Sequence, residues 1–92
     1  MPMYFVETTH EPSEQACMRS LDAAVAQGSH FLSNVLWGCD DGVHKTWIFL
    51  EAASRDEARR MIPPMDRLLS TIVEVRKFTP AEVRAKHASS GL

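Results

Sequence analysis

The chain has 92 residues, 45% of them hydrophobic, and a formal net charge of −2. That composition is globular rather than disordered and fits one domain, a size that buries only about two thirds of the surface the unfolded chain exposes. The balanced charge gives no electrostatic case for nucleic acid, and no apolar run approaches the length of a membrane span.

The opening Met1-Pro2-Met3-Tyr4-Phe5-Val6 has no basic n-region and no sustained apolar h-region, so no secretory signal is expected. Two cysteines in that setting predict reduced thiols in a cytoplasm rather than a structural disulfide.

Tyr4 to Thr8 is rich in aromatic and β-branched residues and predicts the first strand, which His10-Glu11-Pro12 breaks. Ser13 is an N-cap for a helix running to Gln27, ended by Gly28, with Cys17, Leu21, Ala24 and Val25 as its apolar stripe. His30 to Trp37 predicts a second strand and His44 to Ala52 a third. Asp40, Asp41 and Gly42 supply the turn between them. Both alternating sets of the third strand carry large apolar residues, so neither sheet face is expected to lie open to water.

Ser54 and Glu57 form a capping box that opens a second helix, with Ala58, Met61 and Ile62 inward and Pro63-Pro64 as its stop. Thr71 to Phe78 predicts the fourth strand. Thr79-Pro80-Ala81-Glu82 is a second capping box that starts a short terminal helix to about His87. The predicted fold is therefore α+β, a ferredoxin-like βαββαβ unit over residues 1–87 with a short C-terminal helix, and a flexible tail over 88–92.

In that topology the strands lie in the order four, one, three, two, all antiparallel. His10, at the end of strand one, then approaches His44, at the start of strand three. Cys17, in the first turn of the helix, and Cys39, beside the hairpin turn, fall at the same end. Two imidazoles and two thiols suit Zn, Cu or Ni, so His10, Cys17, Cys39 and His44 are candidate ligands. For Cys17 the competing expectation is a small buried hydrophobe on the helix stripe. His10 and His44 also suit an acid–base pair, with Glu51 on a central strand as proton acceptor. Trp37 and Trp47 would wall a pocket for a flat ligand, with Glu7 beside them, or else fill core or a dimer interface.

With that order of elements, the chain resembles the dimeric α+β barrel superfamily over Tyr4 to Phe78. It rests on that topology and the apolar second sheet face, in a branch carrying Glu7-Thr8-Thr9-His10, Trp37-Gly38-Cys39 and Lys45-Thr46-Trp47, and Met61-Ile62-Pro63-Pro64-Met65 is similar to the corresponding region of muconolactone isomerases. The resemblance implies a homodimer paired sheet to sheet, in a group that includes cofactor-free monooxygenases, isomerases and small metal binders. The leading expectation is a cytoplasmic homodimer that binds a small organic ligand without nucleic acid or membrane, as a cofactor-independent isomerase or monooxygenase. Its rivals are a transition-metal binder using Ni, Zn or Cu and a structural dimer without catalysis.

Overall fold

A computed structural model describes residues 1–91. Alternation in the first segment builds β1 (Met3–Thr9), whose Tyr4, Val6 and Thr8 point inward and are buried. Ser13 Oγ accepts from the amide of Ala16 at 3.1 Å and starts α1 (Glu14–Gln27). Gly28, at φ 119°, ends it, as predicted.

The stripe expected on α1 is rotated. Ala16, Ser20 and Ala24 are the buried positions, whereas Leu21 is 36% and Val25 62% exposed. Small side chains four residues apart let a helix lie close to what it covers, and a leucine or valine there would hold it off. The rotation takes Cys17 off the buried stripe and leaves it partly exposed, so the expectation of a packed core cysteine fails.

The second strand is also shorter than predicted. The carbonyl of Gly28 accepts from the amide of Leu32 at 3.1 Å, and the chain turns directly into α2 (Ser29–Asn34). Asn34 Nδ2 donates to the His30 carbonyl at 2.7 Å, and Phe31 packs against the core one turn before the buried Val35. Helical spacing of Phe31 and Val35 satisfies burial better than alternation would. Only β2 (Leu36–Trp37) remains to pair with β3 (Lys45–Glu51).

Ser54 caps α3 (Arg55–Arg60) through Glu57 N, while the Glu57 carboxylate takes the amide of Ala53 at 3.2 Å rather than that of Ser54. Ala58 and the following Ile62 and Pro63 are buried, and a 3₁₀ segment (Pro64–Leu69) leads into β4 (Ser70–Val75). Both arms of the Thr79–Glu82 capping box form at the start of α4 (Pro80–Ser90). That helix runs through residues 88–90, where a tail was expected, because Ala85, Lys86 and Ala88 favour helix and Gly91 closes it at φ 73°. Leu92 lies outside the described residues.

The sheet order is β2-β3-β1-β4, every neighbour antiparallel. Tyr4, Val6, Ile48, Leu50 and Ile72 on the inner face meet Val35, Ala52, Ala58 and Ile62 to form the core. Fully buried side chains such as Val6 and Ile62 each contribute about 2 kcal/mol by leaving water. The outer face is apolar and uncovered in the single chain: Met3, Leu36, Phe49 and Val73 are exposed there, and Phe5 stacks on Phe49 at 4.9 Å between centroids.

Candidate metal centre

The hairpin between β2 and β3 is a tight backbone construction. Gly38 N donates to the Lys45 carbonyl at 3.1 Å, and the amides of Asp41 and Val43 donate to the Gly38 carbonyl at 3.0 and 2.9 Å. Cys39–Asp41 form one 3₁₀ turn, closed by Gly42 at φ 79°. A Cβ at Gly38 would stand 2.8 Å from the Val43 carbonyl oxygen and 2.9 Å from the Trp47 ring, so this position tolerates only glycine without a shift. Gly38 is the functional position the sequence did not single out, since nothing local announces an indole arriving from nine residues downstream.

Four segments place one donor each at this end. His10 follows β1, and its amide donates to the His44 carbonyl at 3.1 Å, which carries the β1–β3 ladder past Thr9↔Lys45. Cys17 lies in the first turns of α1, Cys39 opens the 3₁₀ turn, and His44 immediately precedes β3. One ligand atom from each of the four lies within 4.8 Å of all the others. His10 Nε2 is 3.2 Å from Cys17 Sγ and 3.3 Å from Cys39 Sγ. The two sulfurs are 3.2 Å apart, and His44 Nδ1 is 3.7 Å from Cys17 Sγ. A tetrahedral ion held at metal–sulfur and metal–nitrogen distances near 2.3 and 2.0 Å separates its donors by about 3.5 Å. The four distances above bracket that value, and none of the donor atoms is more than 4.8 Å from another.

The electrostatics agree with the geometry. Burial and the neighbouring His44 hold the His10 imidazole below its usual 6.5, so it is neutral at neutral pH, the state a metal requires. His10 Nδ1 is buried without a hydrogen-bond partner, and Nε2 is the ring nitrogen that meets the sulfurs. Burial, then the Cys17 thiol and its charge, then Asp40, push the Cys39 thiol up to about 11. A cation bound at the Cys39 sulfur would reverse that.

The cluster borders a pocket of about 490 Å³ lined by Pro12, Leu21 and Trp37 on its apolar side and by Glu14 and Asp40 on its acidic side. Cys17, Cys39 and His44 also line it. Of the residues expected at the site, His10, His44, Cys17, Cys39 and Trp37 are thus brought together.

Three others are not. Glu51 is exposed and pairs with Met3 at the far end of the β1–β3 ladder, six residues and about 20 Å from Lys45. It therefore stands apart from both histidines as a proton acceptor. Trp47 pairs with Leu36 and Glu7 on the outer sheet face, opposite Trp37, so the two indoles do not wall one pocket. Glu7 is engaged on that outer face, accepting from Trp47 Nε1 at 2.9 Å and lying 3.7 Å from Lys45 Nζ. Strand alternation separates these residues, since positions one register step apart point to opposite faces.

No described helix is long and apolar enough to cross a membrane. No family model, curated protein or solved structure matches this chain, so the residues and their geometry carry the functional argument.

Proposed function

We propose that this chain is a transition-metal-binding protein whose His10, Cys17, Cys39 and His44 form a four-coordinate shell, with Zn²⁺ the best-fitting ion. The observation that carries this reading is the mutual approach of four soft and borderline donors, one from each of four separate segments, within 4.8 Å. Two thiolates and two imidazoles in tetrahedral array suit zinc, and four protein ligands make a closed shell of the structural or cargo type rather than an open catalytic one. The reading is tested on protein made without an affinity tag or chelator, by elemental analysis and competition with a chromophoric chelator. One ion per chain, lost in Cys39→Ser and His44→Ala, supports it, and the same analysis distinguishes Zn from Ni or Cu. Metal-free protein whose thermal stability ignores added zinc, nickel and copper would remove it.

The pocket against Trp37 supports a second reading, a small organic ligand held beside the cluster, because its volume is in the range of small-molecule sites. A thermal-shift screen that finds a ligand whose effect disappears in Trp37→Ala would favour it. Under either reading we take the chain as a ferredoxin-like unit that pairs with a second copy through its outer sheet face, as the resemblance to the dimeric α+β barrels implies. The exposed Phe49, Leu36 and Val73 support that pairing.

A further inference from the structure

The two sulfurs of the cluster have a chemistry besides ligation. Cys17 and Cys39 are 22 positions apart in the chain, yet their Sγ atoms are 3.2 Å apart. A disulfide needs about 2.05 Å, so closing the bond asks for about 1 Å of relative movement. Side-chain rotation of the two partly exposed cysteines can supply that movement and leave the hydrogen-bonded turn around Cys39 in place. Both thiols are free, partly exposed, and face the same open pocket.

We propose that Cys17 and Cys39 form a reversible intramolecular disulfide by exchange with low-molecular-weight disulfides, and that bound metal and this bond exclude one another. The exclusion rests on the metal reading above, whereas the pairing rests on the thiols alone. In the forward direction one cysteine, as thiolate, attacks a sulfur of R–S–S–R and releases R–S⁻, which takes up the proton the thiol gave up. The second cysteine then displaces the remaining RS group from the mixed disulfide, forming the Cys17–Cys39 bond and a second RSH. The protein thiols lose two electrons in total, and the small disulfide gains them as two thiols. Once the sulfurs are joined, neither is a thiolate, and the two imidazoles alone do not complete the shell. Oxidation therefore releases the ion, and an ion in place blocks oxidation.

The pocket also selects among small disulfides. Among the described residues its lining brings the carboxylates of Glu14 and Asp40 and no lysine or arginine, against apolar walls from Pro12, Leu21 and Trp37. A cationic disulfide is drawn to such a mouth and an anionic one is repelled.

The experiment uses the full-length chain, metal-free and zinc-loaded, with cystamine as the cationic probe and oxidised glutathione as the anionic one. Alkylation and intact mass are read after each time point. Metal-free protein is expected to become two hydrogens lighter with no thiol left to alkylate, faster with cystamine, and zinc loading is expected to slow this by about tenfold or more. Cys39→Ser is expected to stop at a stable mixed disulfide on Cys17, which shows the exchange in a chain that cannot close the bond. Persistent adducts in the wild type, links between chains, or thiols that stay reduced would overturn the pairing. Equal rates with and without bound zinc would overturn the exclusion, and equal rates for the two probes would overturn the charge selection. A chain that closes its disulfide yet binds no metal would refute the metal reading and leave the pairing standing.

Discussion

His10 and His44 meet edge to face, ring centroids 5.7 Å apart and planes at 82°, tied by the hydrogen bond from the His10 amide to the His44 carbonyl. Their approach is a property of the β1–β3 ladder rather than of the side chains. Any stable version of this sheet keeps them together, and the charge on one is felt by the other. A cation shared between them removes that conflict, as does neutrality of His10.

Protonation of His10 is linked to folding and to its neighbour His44. Burial is the larger cause of its lowered pKa and His44 the smaller. In His44→Ala, the His10 titration followed by NMR in metal-free protein should move upward toward 6.5 and still fall short of it. Because the folded-state value lies below the unfolded one, the unfolded chain binds more protons in that window. The contribution of His10 to stability is therefore present above about pH 6.5 and lost as pH falls toward the folded value. A His10 titration unchanged by His44→Ala would show that the two rings are not coupled.

Metal uptake should release protons. With Cys39 held up to about 11, its thiol is protonated at neutral pH and must lose that proton to ligate. Zinc titrated into weakly buffered protein at pH 7 should acidify the solution, and affinity should rise with pH. In Cys39→Ser, which is expected to lose the ion, the acidification should disappear. An affinity that does not change between pH 6 and 8 would contradict ligation by the thiols (about 7 being the range where this linkage is read).

Gly38→Ala probes the hairpin. The new methyl would press on a backbone oxygen at 2.8 Å, which cannot swing aside as a flexible side chain can. The expected cost is about 1–3 kcal/mol, read as a fall of several degrees in Tm. Zinc affinity should fall as well, since the same backbone positions Cys39 and His44. Wild-type stability and affinity in this variant would mean that the turn is looser than its hydrogen bonds indicate.

How much of this was legible follows the range of the interactions concerned. The caps at Ser13, Ser54 and Thr79 are local, and each is found where the residues placed it. The convergence of His10, Cys17, Cys39 and His44 followed from the expected strand order together with the directions of the strands and of the first helix. Ala24 was expected on the buried side of α1 and is there, but the rotation that brings in Ala16 and Ser20 was not legible, because hydrophobicity favours Leu21 and Val25 and only close approach favours small residues. The helix at Ser29–Asn34 was hidden for a similar reason: Phe31 and Val35 fit either period until the core selects one. Glu51 and Trp47 were assigned by residue type, whereas register put them at the far end and on the opposite face.

That rotation makes its own prediction. Ala24 is 1% exposed and Val25 62%, although they are adjacent on one helix. Ala24→Leu should overpack the inner side and destabilise by about 1–3 kcal/mol in denaturant unfolding. Val25→Glu should stay within about 0.5 kcal/mol of wild type. The reverse ranking would restore the stripe through Leu21 and Val25.

The outer sheet face supplies the last test. Phe49 is 55% exposed, with Phe5 stacked on it and Met3, Leu36 and Val73 on the same surface. Glu7 and Lys45 form an ion pair on that face, beside Trp47, so charge frames the patch at one end. An apolar sheet face of this kind is costly to leave in water, and a second copy related by a two-fold axis would cover it with the same face. Sedimentation should therefore show a dimer, and Phe49→Lys should shift it to monomer. The side chain already projects outward, so the variant should keep its fold and the zinc affinity measured for the wild type. A wild-type chain that sediments as a monomer at every concentration would leave the face to some other partner. A Phe49→Lys dimer would move the contact to a different surface.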